Sequence, residues 1–173
     1  MQVQFINDQE FIKYKFKTKP YKHQYDAFLK CKDKESYALF MEQGTGKSKV
    51  IIDNIAYLYR EGKIDTAVIA APKGVYRNWL SSEYNTHMPD DVKEFTEMLV
   101  WSPTETKSNI ESLTNFLKPN HNLKFFIINI EALSTDKGKN YLHRLLNSSK
   151  AFFCVDESTN IKNRTARRTK ACL

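Results

Sequence analysis

Residues 36–60 read SYALFMEQGTGKSKVIIDNIAYLYR, and they carry the strongest indication of architecture in the chain. The apolar run Ser36–Met41 is typical of a short buried strand, and it leads into the glycine-rich turn GTGKS at 44–48. Lys47–Arg60 then places apolar residues at helical spacing and ends before Gly62, a natural helix stop. A strand, a glycine-rich turn and a helix in this order predict a phosphate-binding loop.

Each residue type in this turn suits phosphate binding. Glycines let the backbone curl so that successive N–H groups face one anion, and the positive end of the helix dipole adds to the attraction. We expect Lys47 to reach the β and γ phosphates of ATP and the Ser48 hydroxyl to bind Mg²⁺. The strict pattern has one more glycine, where this chain has Met41. The predicted nucleotide-binding residues are Gln43, Gly44, Thr45, Gly46, Lys47 and Ser48.

A second apolar run, Lys150–Val155, leads directly into Asp156 and Glu157. Nucleotide hydrolysis needs one carboxylate to hold Mg²⁺ and another to orient and deprotonate the attacking water. Adjacent side chains diverge at a strand end, so we assign Asp156 to the metal and Glu157 to the water. An ordinary acidic turn is the alternative, and the apolar strand before the pair favours the catalytic interpretation. Together with Lys47, these carboxylates are the predicted catalytic residues.

The rest of the chain alternates predicted strands and helices. The strands are continuous apolar runs, which is typical of a parallel sheet covered by helices on both faces. No repeat or Gly/Ser/Pro-rich linker interrupts them, so the sequence predicts one α/β domain over residues 1–173. The remaining predicted strands are Asp65–Ala71, Met98–Trp101 and Lys124–Ile130, and the remaining helices are Gly74–Tyr84, Lys107–Leu117 and Lys139–Leu146.

Composition argues against several classes of protein. Of the 173 residues, 41% are hydrophobic and 27% are charged, which is typical of a folded domain and not of a disordered tail. No apolar run approaches the roughly 20 residues of a membrane helix, and the N-terminus does not resemble a signal peptide. Three cysteines without a CxxC pair and four scattered histidines disfavour a disulfide framework and a zinc site. We therefore expect a cytoplasmic protein with no membrane partner.

The net charge of +7 is concentrated in two basic blocks. Phe11–Lys34 has a net charge of +6 and Ile161–Leu173 a net charge of +5, so the remaining sequence is mildly acidic. Such blocks indicate a polyanion partner, of which nucleic acid is the commonest. The alternative is that the lysines only keep the surface hydrated. Charge alone leaves both interpretations open.

Five segments, in order, resemble the motifs of superfamily 2 helicases. They are PYKHQ at 20–24, MEQGTGKS at 41–48, APKGVYRNW at 71–79, IINIEAL at 127–133 and VDESTNIKNRTARRTKA at 155–171. They are most similar to the Swi/Snf-type branch of DNA-dependent ATPases, particularly its small bacterial and phage members. The resemblance covers residues 19–173. It implies the N-terminal RecA-like lobe of a motor that couples ATP hydrolysis to movement on nucleic acid.

The resemblance also implies roles for individual residues. Gln24 is the glutamine that reads the adenine edge, and an amide can both donate and accept there. Lys73 and Arg77 match a segment that lies along nucleic acid, with duplex DNA as the expected partner. Trp79 belongs to the same segment, but its helical spacing from Val75 favours the core. The basic stretch after the acidic motif adds Lys162, Arg164, Arg167 and Arg168 to the expected nucleic-acid surface.

The resemblance implies parts that this sequence does not contain. A Ser/Thr-Gly-Thr-Pro-like turn and a second RecA-like lobe do not occur before Leu173, and such a lobe supplies an arginine worth ~10³–10⁵ in rate. We therefore expect a truncated sheet, a second lobe as partner and little turnover by this chain alone, with residues 1–18 as an N-terminal extension. Two other functions stay open: a non-catalytic P-loop fragment that binds nucleic acid or a partner, and another viral P-loop ATPase such as a packaging motor.

Overall fold

The computed structural model describes residues 4–104 and 106–157. Helices and strands alternate along this part of the chain. The helices are α1 (Asp8–Tyr14), α2 (Lys22–Cys31), α3 (Lys47–Arg60), α4 (Tyr76–Asn78), α5 (Tyr84–His87), α6 (Asp90–Lys93), α7 (Lys107–Phe116) and α8 (Asp136–Asn147). The strands are β1 (Thr66–Ala71), β2 (Thr96–Val100), β3 (Leu123–Asn129) and β4 (Ala151–Val155). A π-helical turn, Trp79–Glu83, joins α4 to α5, and a 3-10 turn, Ile130–Ser134, precedes α8.

The described residues divide into two compact units. Residues 4–63 and 78–94 form a helical unit, which contains α1, α2, α3, α5 and α6. Residues 64–77 and 95–157 form a sheet unit, which contains all four strands with α7 and α8. Within the described residues, no helix is long and apolar enough to cross a bilayer.

The sheet unit is built on four parallel strands in the order β2-β3-β1-β4. In the register of the central strands, Ala70 lies opposite both Ile128 and Val155. Every residue of β1 is buried, as expected for a central strand of a parallel sheet. The predicted α/β fold with a parallel sheet is confirmed.

One face of this sheet packs against α7 and α8. Alternate residues of the central strands, among them Val68 and Phe126, form one cluster with Phe116 of α7 and Leu142 of α8. Threonines begin both helices: the Thr106 side chain accepts a hydrogen bond from Asn109 N–H (3.2 Å), and the Thr135 side chain accepts one from Gly138 N–H (3.1 Å). These caps define where the covering helices start.

The helical unit has an aromatic core. The Tyr14 ring packs edge-on against Phe28 of α2 and Tyr57 of α3, with ring centroids 5.0 and 6.0 Å apart. Ile6 and Phe16 are buried in the same cluster. The residues around α1 therefore contribute side chains to the core that holds α2 against α3.

The predicted strand Ser36–Met41 does not form, and this prediction is wrong. Phe40 is 97% exposed, and the sheet contains no strand from this segment. A strand needs a hydrogen-bonded neighbour for its N–H and C=O groups, and among the described residues none lies beside this segment. Leu39 and Met41 pack instead against the aromatic core of the helical unit. Irregular chain therefore precedes the glycine-rich turn.

The other predicted elements agree with the structure to within a few residues. The largest difference follows β1, where the predicted helix Gly74–Tyr84 begins later, at Tyr76, and continues to His87. The carbonyl of Pro72 accepts hydrogen bonds from Val75 and Tyr76 N–H at 2.8 and 3.0 Å, and this turn delays the helix. Trp79 is 1% exposed, which agrees with the core position that helical spacing favoured.

Candidate nucleotide-binding site

The glycine-rich turn ends at the N-terminus of α3. Gly46 (φ 85°) is the N-cap of this helix, and Gly44 (φ 79°) also lies in the left-handed region. A residue with a Cβ pays about 1–2 kcal/mol to adopt that conformation, so both positions favour glycine. The first N–H groups of a helix have no intrahelical acceptor. The turn therefore presents these donors, and the positive end of a 14-residue helix, to an anion.

The Lys47 ammonium bends back over the turn. Its Nζ donates to the carbonyl oxygens of Met41 and Glu42, each at 3.0 Å, and the Thr45 hydroxyl donates to the same Glu42 carbonyl at 2.6 Å. Hydrogen bonds from an ammonium to an anionic oxygen are stronger than those to a neutral carbonyl. Lys47 can therefore exchange these partners for phosphate oxygens, and the turn fits a nucleotide phosphate.

The N-terminus of α2 packs directly on the turn. Gln24 is only 5% exposed, its Oε1 accepts a hydrogen bond from Tyr21 N–H (3.0 Å), and its Nε2 donates to the Thr45 carbonyl (3.0 Å). His23 Nε2 lies 3.0 Å from that same carbonyl. The structure thus brings Gln24 together with the predicted phosphate loop.

Gln24 keeps the hydrogen-bonding capacity that its predicted role requires. A glutamine amide has two N–H groups and two acceptor lone pairs. The bonds to Thr45 and Tyr21 use one of each. These two bonds leave one donor and one acceptor of the amide unused.

The predicted acidic pair follows β4 in the sheet unit. Asp156 N–H donates to the Ala70 carbonyl at 2.9 Å, which extends the pairing of β4 with β1 one residue beyond Val155. Glu157 has φ 54°, a conformation that residues with a Cβ rarely adopt, so the chain turns sharply at this point. Asp156 is half-buried and Glu157 is exposed. The two carboxylates therefore lie in different environments.

The predicted nucleic-acid residues Lys73 and Arg77 lie beyond the end of β1, and both are exposed. β1 and β4 are parallel neighbours, so Lys73 and Glu157 both lie just beyond the carboxyl ends of their strands. Open α/β sheets usually bind ligands at this edge. The Arg77 guanidinium lies over the Tyr76 ring, 5.9 Å from its centroid. The other predicted contacts, Lys162, Arg164, Arg167 and Arg168, lie outside the described residues.

A buried ion pair on α3, close to the turn in sequence, was not anticipated from the sequence. Lys49 Nζ donates to Asp53 Oδ2 at 2.8 Å and to the Thr18 carbonyl at 2.9 Å. The two charged side chains are 5% and 2% exposed. Burial raises the pKa of Asp53 to about 6 and lowers the pKa of Lys49. The sequence feature that could have indicated this ion pair is a Lys and an Asp four residues apart within a mostly apolar stretch of helix.

His87 of α5 extends this polar cluster. Its Nδ1 lies 2.8 Å from the Thr18 hydroxyl, and its Nε2 lies 4.0 Å from Glu83 Oε2. Burial, with a smaller contribution from the Lys49 ammonium, lowers the pKa of His87 to about 4. The ring is therefore neutral at pH 7, and Nδ1 can accept a hydrogen bond from the hydroxyl.

Comparison with protein families assigns the chain. The model of the family described as "Type III restriction enzyme, res subunit" matches residues 2–171. The chain belongs to this family. As a member of the res-subunit family, it is a helicase-like superfamily 2 domain with a RecA-like fold, of the class of ATP-dependent nucleic-acid motors. No curated protein matches the chain.

Proposed function

We propose that this chain is the ATP-binding motor lobe of a DNA-dependent ATPase of the Swi/Snf type, from a bacterium or phage, which couples ATP hydrolysis to movement on duplex DNA in the cytoplasm. The observation that carries the proposal is the contact of Gln24 with the glycine-rich turn. An amide suited to adenine and a loop suited to phosphate lie side by side, as an adenine nucleotide requires.

The roles in this site follow from the chemistry of each side chain. Lys47 and the N-terminus of α3 bind the phosphates, and Gln24 orients the base. Ser48 and Asp156 are the residues that would hold Mg²⁺, which would neutralise charge on the phosphates when bound. Glu157 accepts a proton from the attacking water. Residues 1–173 act as one RecA-like domain, and a second RecA-like lobe is its partner, because Lys47 and Mg²⁺ supply only part of the charge stabilisation that phosphoryl transfer needs.

Nucleic acid is bound at the carboxyl edge of the sheet unit. The exposed cations Lys73 and Arg77 support this placement, because a phosphate backbone is bound largely through Lys and Arg. Lys162, Arg164, Arg167 and Arg168, which follow the acidic pair in sequence, are further candidates for phosphate contacts. These contacts are to phosphates, so binding is largely independent of base sequence.

Calorimetric titration of the full chain with ATP and Mg²⁺ tests the nucleotide site. Lys47→Ala should abolish measurable binding, because it removes the ammonium beside the phosphates. Lys34→Ala, which removes an exposed lysine from the same unit, should bind ATP as the unaltered chain does. Equal ATP affinity of the Lys47→Ala variant and the unaltered chain would overturn the proposal.

A further inference from the structure

We propose that Lys49 is a positioning residue for the nucleotide site: paired with Asp53, it holds the Thr18 carbonyl and thereby keeps Gln24 against the glycine-rich turn. The inference deepens the proposed function and rests on it for the nucleotide-binding consequence. The positioning of Gln24 by Lys49 is argued only from contacts within the helical unit.

Three groups that the Lys49 ammonium contacts are buried or half-buried. It donates to the Thr18 carbonyl at 2.9 Å and to Asp53 Oδ2 at 2.8 Å, and it lies 5.5 Å from the centroid of the Phe16 ring. A cation at this distance from a ring face is attracted to it. The side chain therefore ties the chain around Phe16 and Thr18 to α3, two residues beyond Lys47.

The segment between Thr18 and Gln24 is short and held at several points. Pro20 has a restricted φ, and its carbonyl accepts a hydrogen bond from Ile6 N–H at 3.3 Å. Tyr21 N–H donates to Gln24 Oε1, which fixes the start of α2 relative to the amide that contacts the turn. The Thr18 hydroxyl is held by His87. Only five residues separate Thr18 from Gln24, so a displacement of the Thr18 carbonyl is carried to Gln24 over a short, restrained segment.

Stability alone does not account for a buried ion pair at this place. Replacing such a pair by apolar residues of similar volume is often neutral or stabilising, because the charges lose their hydration. An apolar side chain could fill the space, but it could not donate to the Thr18 carbonyl. Asp53 Oδ1 has no hydrogen-bond partner among the described residues, so the hydrogen bonding of this carboxylate is directed at Lys49. In this arrangement, Asp53 stabilises the charged form of the Lys49 ammonium and orients it toward the Thr18 carbonyl.

The test replaces the whole pair, so that no uncompensated charge is left inside. The double variant Lys49→Met/Asp53→Leu keeps the bulk of both side chains and removes the contact with Thr18. The matched control is Lys63→Met/Asp33→Asn, which removes the ion pairs of the exposed Asp33 with Lys63 (3.1 Å) and Lys32 from the same unit. Each full-length protein is titrated with ATP, GTP and inorganic tripolyphosphate in the presence of Mg²⁺. Thermal unfolding and hydrogen exchange of the amides at 18–24 are measured in parallel.

We expect the double variant to stay folded and to bind tripolyphosphate within about twofold of the unaltered chain, since the turn and Lys47 are intact. Its ATP affinity should fall about tenfold, the loss expected for one good hydrogen bond, so that its preference for ATP over GTP disappears. Amides at 18–24 should exchange about tenfold faster. The control should match the unaltered chain in every measurement.

An unchanged preference for ATP together with unchanged exchange, in a folded double variant, would overturn the inference. If that variant unfolds, Lys49→Gln/Asp53→Asn is tested in the same way, because its side chains can bond each other while glutamine is too short to reach Thr18. Unfolding of both variants would also overturn it, since the pair would then serve the fold itself. If the unaltered chain binds neither ATP nor tripolyphosphate, the proposed function fails, and the exchange rates alone decide the positioning role.

Discussion

Gln24 and Thr45 are 21 residues apart in sequence, yet the Gln24 side chain donates to the Thr45 carbonyl at 3.0 Å. This contact places the start of α2 against the glycine-rich turn. A Cβ on Gly46 would lie 2.3 Å from Gln24 Nε2, so the absence of a side chain at Gly46 is what allows the approach. The N-terminus of α2 and the glycine-rich turn are therefore in direct contact within the helical unit.

Substitution of the two turn glycines should separate backbone strain from this contact. Gly44→Ala and Gly46→Ala both force alanine into the left-handed region, at about 1–2 kcal/mol each, but a Cβ on Gly44 meets nothing within 4 Å. Only Gly46→Ala should also displace Gln24 and lose its hydrogen bond to Thr45. We expect Gly46→Ala to bind ATP about tenfold more weakly than Gly44→Ala in calorimetric titrations. Equal affinities would show that the contact does not matter for binding.

Glu157→Gln should separate nucleotide binding from hydrolysis. Glutamine has nearly the same shape as glutamate but cannot take a proton from the attacking water. ATP affinity should stay within about twofold of the unaltered chain, whereas any DNA-stimulated phosphate release should fall at least about 100-fold. Gln43→Ala alters an exposed residue beside the glycine-rich turn, and it serves as a comparison that should affect ATP binding more than the hydrolysis step. Undiminished hydrolysis by Glu157→Gln would remove this residue as the general base.

Acid should destabilise the helical unit through His87. Its pKa of about 4 in the folded state lies below the roughly 6.5 of an unfolded histidine, so the unfolded chain binds more protons between these values. The stabilisation is therefore complete above pH 6.5 and is lost as the pH falls to 4, by at most about 3 kcal/mol. Asp53 acts in the opposite direction, because its raised pKa favours the folded state as the pH falls below about 6.

The contribution of His87 is isolated by comparison with His87→Gln, which has no proton to gain and retains an acceptor for the Thr18 hydroxyl. Asp53 is present in both proteins, so its effect largely cancels in the difference. Urea unfolding at several pH values between 4 and 7 should show a free energy of unfolding that falls more steeply for the unaltered chain. Parallel pH profiles of the two proteins would contradict the prediction.

Loss of Lys73 or Arg77 should weaken DNA binding and reduce its dependence on salt. Each phosphate contact that is removed should lower the slope of log affinity against log salt concentration by about 0.9. Lys118→Ala is the matched control, because this exposed lysine precedes β3 at the amino edge of the sheet. Titrations of a labelled duplex at several salt concentrations give the slopes. Identical slopes for Lys73→Ala and Lys118→Ala would count against a nucleic-acid role at the carboxyl edge.

The accuracy of the sequence predictions differed between elements for physical reasons. The predicted bounds of α3 agree with the structure, because its start and end depend on glycines in the adjoining turns. The strand predicted at Ser36–Met41 failed, because an apolar run becomes a strand only beside a hydrogen-bonding neighbour. Local sequence shows which secondary structure a segment is able to form, whereas strand pairing depends on the segments that pack beside it in the fold.

For this protein, the sequence alone was sufficient to predict where α3 begins after the glycine-rich turn, the strand that precedes Asp156 and the parallel α/β fold, because glycine conformation, capping and apolar periodicity act over a few residues. It could not show that Lys49 donates to the Thr18 carbonyl, 31 residues earlier in the chain. That contact exists because the aromatic core packs α1 and α2 against α3 and encloses the ammonium among Phe16, Thr18 and Asp53. A charge on a helix in a sequence looks like a solvated surface residue until the packing of distant segments takes it out of water.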